Sequence, residues 1–129
     1  MTDYSSKHAR AGLKETLPKL DVLANQFRGY RISIVIPEYG SLCPRTGMPD
    51  NGTITIDYEP ADYFVELRSL KYYILGYRNL GIFYENAVNR ILKDFVKSVK
   101  PRWARVRGEF NPRGGINSIV EAKYGRVPN

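Results

Sequence analysis

RISIVIPEYGSLCPRTGMPDNGTITIDYEP, residues 31–60, is the stretch on which the fold turns. Ile32, Ile34 and Ile36 alternate with Arg31, Ser33 and Val35, the period of a strand with one strongly apolar face. Pro37 reads as the end of that strand. TITIDYEP repeats the alternation, with Ile54, Ile56 and Tyr58 on one face and Pro60 as the stop. Between the two, SLCPRTGMPDNG reads as a loop of turn formers that closes on the Asn51-Gly52 signal.

The remainder of the chain sets what these strands pack against. After ADYFVEL, Ser69 is placed to cap a short helix, LKYYILGYRN, where Leu70, Tyr73, Ile74 and Tyr77 recur at helical spacing. Gly81 separates it from a longer helix, IFYENAVNRILKDFVKSVK. That helix carries a continuous apolar stripe from Phe83 through Val88, Ile91 and Phe95 to Val99, and Pro101 stops it. RWARVRGEF alternates Ala104, Val106, Gly108 and Phe110 against Trp103, Arg105, Arg107 and Glu109. NPRGG reads as a turn and INSIVEAKYG as a fourth strand. The order β-β-α-α-β-β predicts an α+β domain, an antiparallel sheet with both helices on one face. Such a sheet has two open edges, and pairing them between subunits around a ring removes both, so an oligomer is expected. Residues 1–28 read as an N-terminal arm, partly helical around LKETLPKLDVLANQF with Pro18 interrupting, ahead of a single domain over 29–129.

Composition narrows the chemistry. The chain's 129 residues suit one domain with its own core. One cysteine excludes an internal disulfide, and with one histidine it argues against a zinc site; no metal is expected. A lone thiol suits a reducing cytoplasm. The polar first residues fit neither a signal peptide nor a membrane anchor, and no apolar run nears the roughly 20 residues of a membrane helix. The net charge of +7 fits a basic solvated surface or a polyanionic partner, either RNA or a phosphorylated cofactor. His8 falls in the arm, so a Cys-His or Ser-His pair inside the domain is not available. Acid–base work falls to Asp, Glu, Lys, Tyr or water.

Cys43 has two readings. A cysteine is often a small buried hydrophobe. Here proline, glycine and polar neighbours offer little to bury it, and Arg45 can favour its thiolate. With Asp50 brought near, the pair becomes a nucleophile beside a proton donor, suited to addition at an electrophilic carbon. Glu66, Arg68 and Lys71 in VELRSLKYY read equally as a solvated charged turn, and Glu85 is where the helix dipole alone would favour an acid. Arg113 before two glycines can present a guanidinium and backbone amides to a phosphate, or mark an ordinary hairpin turn.

In this order and spacing, SLCPRTGMPD, VELRSLKYYILGYRN, GIFYENAVNRIL and FNPRGGI resemble the 7-cyano-7-deazaguanine reductases. These are the oxidoreductases that reduce a nitrile in queuosine biosynthesis for tRNA, in their short single-module form. ELRSLKYY matches the family's hallmark pattern Glu-Ser/Leu-Lys-Ser/Ala-apolar-Lys-Leu/Tyr-aromatic at all but the third place. The resemblance implies the tunnelling fold (T-fold), with subunits in stacked rings and active sites between subunits. It implies that Cys43 adds to the nitrile carbon as a covalent thioimide and that Asp50 supplies the proton. NADPH then delivers hydride twice, giving 7-aminomethyl-7-deazaguanine. Val65, Glu66 and Leu67 fall on the family's substrate strip, and Glu85 on the carboxylate that accepts from the guanine-like edge. Arg68, Lys71 and Arg113 fall where the family contacts its cofactor.

Where the family reads Asn-His-Gly-x-Phe-His-Glu, this chain has Leu80 and Tyr84 in place of the histidines. Tyr84 at the substrate keeps a hydroxyl donor, with an ordinary pKa of about 10 against about 6.5 for histidine, so it shuttles protons poorly near neutral pH. Arg68 replaces the hallmark lysine and changes donor geometry. Two alternatives stay open. One resembles the archaeal relatives that add ammonia to the nitrile of 7-cyano-7-deazaguanine in tRNA, forming archaeosine without NADPH. The lost histidines and Arg102, Arg105 and Arg107 favour it, and the hallmark segment opposes it. The other is a basic RNA-binding or scaffold protein on the same fold, indifferent to Cys43 and salt-sensitive in its binding.

Overall fold

The structure is a computed structural model and describes residues 5–129. In chain order the elements are α1 (Ser6–Ala9), β1 (Val22–Ala24), β2 (Ile32–Leu42), β3 (Pro49–Glu59), β4 (Tyr63–Val65), α2 (Leu67–Leu75), α3 (Tyr84–Val99), β5 (Trp103–Arg113) and β6 (Ile116–Tyr124). β2, β3, β5 and β6 form one antiparallel sheet in the order β2-β3-β5-β6, and β1 pairs with β4 in a separate two-stranded ribbon. Its edges are therefore β2 and β6. Ile54, Ile56 and Tyr58 of β3 and Ala104 and Val106 of β5 are fully buried against Ala87, Val88, Ile91, Phe95 and Val99 of α3. Burying each large apolar side chain stabilises by roughly 1.5–3 kcal/mol, so this face of the sheet is where the fold is held. Phe95 meets Tyr58 edge-on, with ring centroids 4.7 Å apart.

Four local expectations are overturned, each by a contact from elsewhere in the chain. β2 does not end at Pro37 but runs on to Leu42. An edge strand tolerates proline, and the register slips between Ile36 and Tyr39 because β2 gains one residue there. That bulge reverses parity: Ile32, Ile34 and Ile36 face the helices before it, and Tyr39 and Ser41 are the buried residues after it. Asn51-Gly52 is not a turn but lies inside β3, opposite Gly40 and Tyr39. A Cβ on Gly52 would stand 2.4 Å from the Glu109 carbonyl oxygen, so this glycine admits the close approach of β5. The turn is instead Cys43–Met48, closed by Cys43 N–H donating to the Met48 carbonyl at 2.9 Å, and Asp50 stands in a strand.

Ser69 does not cap α2. Glu66 does, its carboxylate accepting from the N–H groups of Arg68 at 2.6 Å and Ser69 at 2.9 Å. The Ser69 hydroxyl accepts instead from Asp21 N–H at 2.9 Å, which fastens the N-terminal segment to the helix. That segment is not helical over 13–27; it runs extended, with Val22–Ala24 paired to β4 and Leu20 buried in the core. Asn86 donates to the Ala9 carbonyl at 2.7 Å, and Arg90 donates to the carbonyls of Gly12 and Glu15. The β5–β6 turn is the pair Gly114-Gly115, both at positive φ (60° and 79°), as a two-residue hairpin of matching twist requires. No helix among the described residues is long and apolar enough to cross a membrane.

Burial raises the pKa of Tyr39, Tyr73 and Tyr77 well above that of a solvated phenol. The folded state therefore holds these protons at a pH where the unfolded chain has lost them. Their contribution is complete below about pH 10 and is lost as pH rises toward the folded values, by about 1.4 kcal/mol per pH unit for each phenol. Urea denaturation midpoints should hold steady up to about pH 9.5 and fall steeply above it, less so in Tyr77→Phe.

Candidate functional site

The site is built where β2 ends. Leu42 N–H donates to the Leu80 carbonyl at 2.9 Å and Ile82 N–H to the Leu42 carbonyl at 3.0 Å. These two bonds clip the end of β2 to the segment between the helices, so Cys43 comes to lie beside the first turn of α3. Phe83 caps α3 without a side-chain bond, which leaves the positive end of the helix turned to the same space. Cys43, Asp50, Phe83, Tyr84, Glu85 and Arg113 border one cavity of about 400 Å³.

Asp50 is only 5% exposed. Its Oδ1 accepts from Tyr84 Oη at 3.1 Å and from Arg113 Nη1 at 2.5 Å. Two donors occupy the lone pairs of that oxygen. Tyr84 is aimed by its ring, which stacks on Phe110 of β5 at 3.9 Å and 9° between planes. Burial, then the charge of Asp50 and the hydrogen bond to it, push the Tyr84 phenol above its ordinary pKa, and Arg113 works against them. Tyr84 thus stays a neutral donor. The bond to Asp50 and its charge hold Arg113 protonated, with Tyr84 and Cys43 adding in the same direction.

The expected residues fall into two groups. Cys43, Asp50, Tyr84, Glu85 and Arg113 come together; Glu85 is exposed at the first turn of α3. Arg113, expected at the cofactor, is bound to Asp50 in this structure. Val65, Glu66, Leu67, Arg68 and Lys71 do not border the Cys43 cavity; they border separate hollows around α2. Val65 is buried, its N–H donating to Tyr58 Oη at 3.0 Å, and Leu67, Arg68 and Lys71 are exposed. Sequence reasoning missed Phe110 as the platform for Tyr84, and missed Tyr39 and Ser41 beneath Asp50. The signal for the latter pair was Pro37-Glu38 as a bulge rather than a strand end.

A family model described as QueF-like protein matches residues 49–129. The chain belongs to the QueF-like family. An "NADPH-dependent 7-cyano-7-deazaguanine reductase" of Elusimicrobium minutum (strain Pei191) is 52% identical over 122 residues, covering 94% of this chain and 92% of that one. A relative of the same name from Chloroherpeton thalassium (strain ATCC 35110 / GB-78) is 53% identical, covering 81% and 92%. Among solved structures, the archaeosine synthase QueF-Like in its apo form matches with a TM-score of 0.72 at 20% identity, covering 79% of this chain and all of that one. At that identity the likeness establishes the fold, the tunnelling fold of the QueF-like family.

The opposed influences on Tyr84 give a test of the cluster. With carbon-13-labelled tyrosine followed by NMR, Asp50→Asn should lower the Tyr84 pKa and Arg113→Ala should raise it. Shifts of the same sign in both variants would contradict the geometry.

Proposed function

We propose that this protein is an NADPH-dependent reductase that converts the nitrile of 7-cyano-7-deazaguanine to the aminomethyl group. The observation that carries the reading is Cys43 and Asp50 bordering one cavity, with Asp50 held by two donors on Oδ1. The relatives that share half the sequence, named for that reaction, support it. The likeness to an archaeosine synthase is one of fold, so the ammonia-adding reaction on tRNA is not adopted.

Cys43 Sγ adds to the nitrile carbon as the thiol proton passes by way of Asp50 to the nitrile nitrogen, leaving a neutral thioimide and the Asp50 carboxylate as it began. Tyr84 and Arg113 keep their bonds to Oδ1 throughout, so the reactive oxygen does not rotate away. Glu85 accepts from the adjacent N–H groups of the guanine-like edge. NADPH, when bound, supplies the two hydrides that carry the nitrile to the amine. Arg68 and Lys71 suit its phosphates: both cations are exposed and lie three residues apart on α2, hence on neighbouring turns of one face. Exposed N–H groups of Arg113 also stay open to a phosphate.

The strip from Val65 to Lys71 lies apart from Cys43 within one chain, while the edges β2 and β6 stand open. Val35 and Leu67 are about as exposed as each other, at 60% and 62%, beside the hollow between β2 and α2. We therefore assign a ring of subunits, stacked in pairs, in which a neighbour's residues 65–71 complete the site around Cys43. The catalytic domain is residues 29–129, preceded by the arm of residues 1–28, and the protein works in the cytoplasm.

Spectrophotometry tests the reading: two NADPH should be oxidised per amine formed. Cys43→Ala should abolish this, and Asp50→Asn should slow it by roughly 10²–10⁴-fold. Co-assembled Cys43→Ala and Lys71→Ala chains should recover activity that neither shows alone. Amidine formation on tRNA without NADPH would overturn the assignment.

A further inference from the structure

Residues 10–15 belong to no helix or strand, so contacts with the rest of the domain decide where they lie. Those contacts fall on the part of the chain that builds the site. Asn86 Nδ2, one residue after Glu85, donates to the Ala9 carbonyl at 2.7 Å. One turn further along α3, Arg90 donates from Nη1 to the Gly12 carbonyl and from Nη2 to the Glu15 carbonyl, while its Nε meets Asp94 Oδ2 at 3.4 Å. The Arg90 side chain is only 11% exposed, so a largely buried guanidinium serves three acceptors at once.

Gly12 lies between these two ties. It is buried at φ 84°, and a Cβ there would stand 2.5 Å from Ile82 Cβ and 2.8 Å from the Gly81 carbonyl oxygen. Only glycine lets the backbone come this close in that conformation. Gly81 and Ile82 belong to the segment that holds the end of β2. Leu42 pairs with Gly81 in an isolated parallel bridge, through its bonds to Leu80 and Ile82. The Cβ position of Gly81 is 3.5 Å from Pro44 Cα. Residues 80–82 are therefore backed by Gly12 and meet Leu42 and Pro44, the two chain neighbours of Cys43.

We propose that residues 9–15 form a backstop, tied down by Asn86 and Arg90, that fixes Cys43 and Glu85 in place for attack on the nitrile. The proposal rests on Cys43 being the nucleophile. Attack needs the sulfur within about 3–3.5 Å of the nitrile carbon while Glu85 holds the ring, and a misplacement of about 1 Å costs on the order of 10²-fold. Cys43 opens a turn, Glu85 stands on the first turn of α3, and residues 80–82 link the two. Once the backstop is gone, the turn and the helix are free to drift relative to each other. The N-terminal segment thus acts on the reaction without bordering the Cys43 cavity. Gly12, Asn86 and Arg90 act through Cys43 and Glu85 and are positioning residues.

Gly12→Ala and Arg90→Ala in the full chain test this. Hydrogen exchange should quicken about tenfold or more at the amides of Leu42 and Ile82 and stay slow at Ile54 and Ile56 in the centre of the sheet. The rate constant for the Cys43 adduct, followed by mass spectrometry without NADPH, should fall about tenfold or more. The adduct once formed should be reduced by NADPH within about twofold of the native rate, because the covalent bond then holds the carbon. Asn86→Ala should give the same pattern more weakly. Val99→Ala, at the far end of α3, should lower the urea midpoint and leave the adduct rate constant unchanged. Native exchange at Leu42 and Ile82, or less total adduct at an unchanged rate constant, would overturn the backstop. So would equal slowing of adduct formation and reduction. Should Arg90→Ala fail to fold, Gly12→Ala and Asn86→Ala carry the same readouts. If the native chain forms no adduct, the reading of Cys43 fails, and the part of the backstop in the reaction with it. If the native chain forms the adduct and the variants match it in exchange and rate, the backstop alone fails.

Discussion

A buried carboxylate with two donors on one oxygen ties this molecule together. Asp50 stands on β3, its first donor is on α3 and its second on the β5–β6 hairpin. Asp50 is the buried partner, so removing a donor leaves its carboxylate desolvated with one bond fewer. Three elements distant in sequence are thereby drawn to one point, and that point borders the cavity with Cys43. Both of these donors converge on the same oxygen, Oδ1.

Several residues serve the fold and the site at once. Glu66 belongs to the hallmark segment, yet its carboxylate caps α2 and so sets the helix on which Arg68 and Lys71 stand. Phe110 fills the core and gives Tyr84 the flat surface that aims its hydroxyl. Leu42 closes a backbone bridge to residues 80–82, which carries Cys43 across to α3. A substitution at any of these would disturb the chemistry without touching substrate.

The alternation of Ile54, Ile56 and Tyr58 and the stripe of α3 were legible because burial on one face imposes a period that any sequence must show. Pro37, Gly52 and Ser69 were misleading for one shared reason. Each was judged by its own neighbours, while its role is set by a distant partner: the open edge beside β2, the Glu109 backbone, and Asp21. The N-terminal segment misled likewise, since a three-residue strand takes its existence from β4. Of the site, Cys43, Asp50, Tyr84, Glu85 and Arg113 were named from sequence and meet in space. Tyr39 and Ser41 were not, because a single inserted residue in β2 decides which side of the sheet they face.

In the proposed reaction Cys43 holds the nitrile carbon while Asp50 supplies the nitrogen's proton. Intact mass spectrometry with 7-cyano-7-deazaguanine tests it most directly. The native chain should gain an adduct of one substrate mass that disappears with release of amine when NADPH is added, and Cys43→Ala should gain none. An unmodified chain, or an adduct that persists in the presence of NADPH, would contradict it.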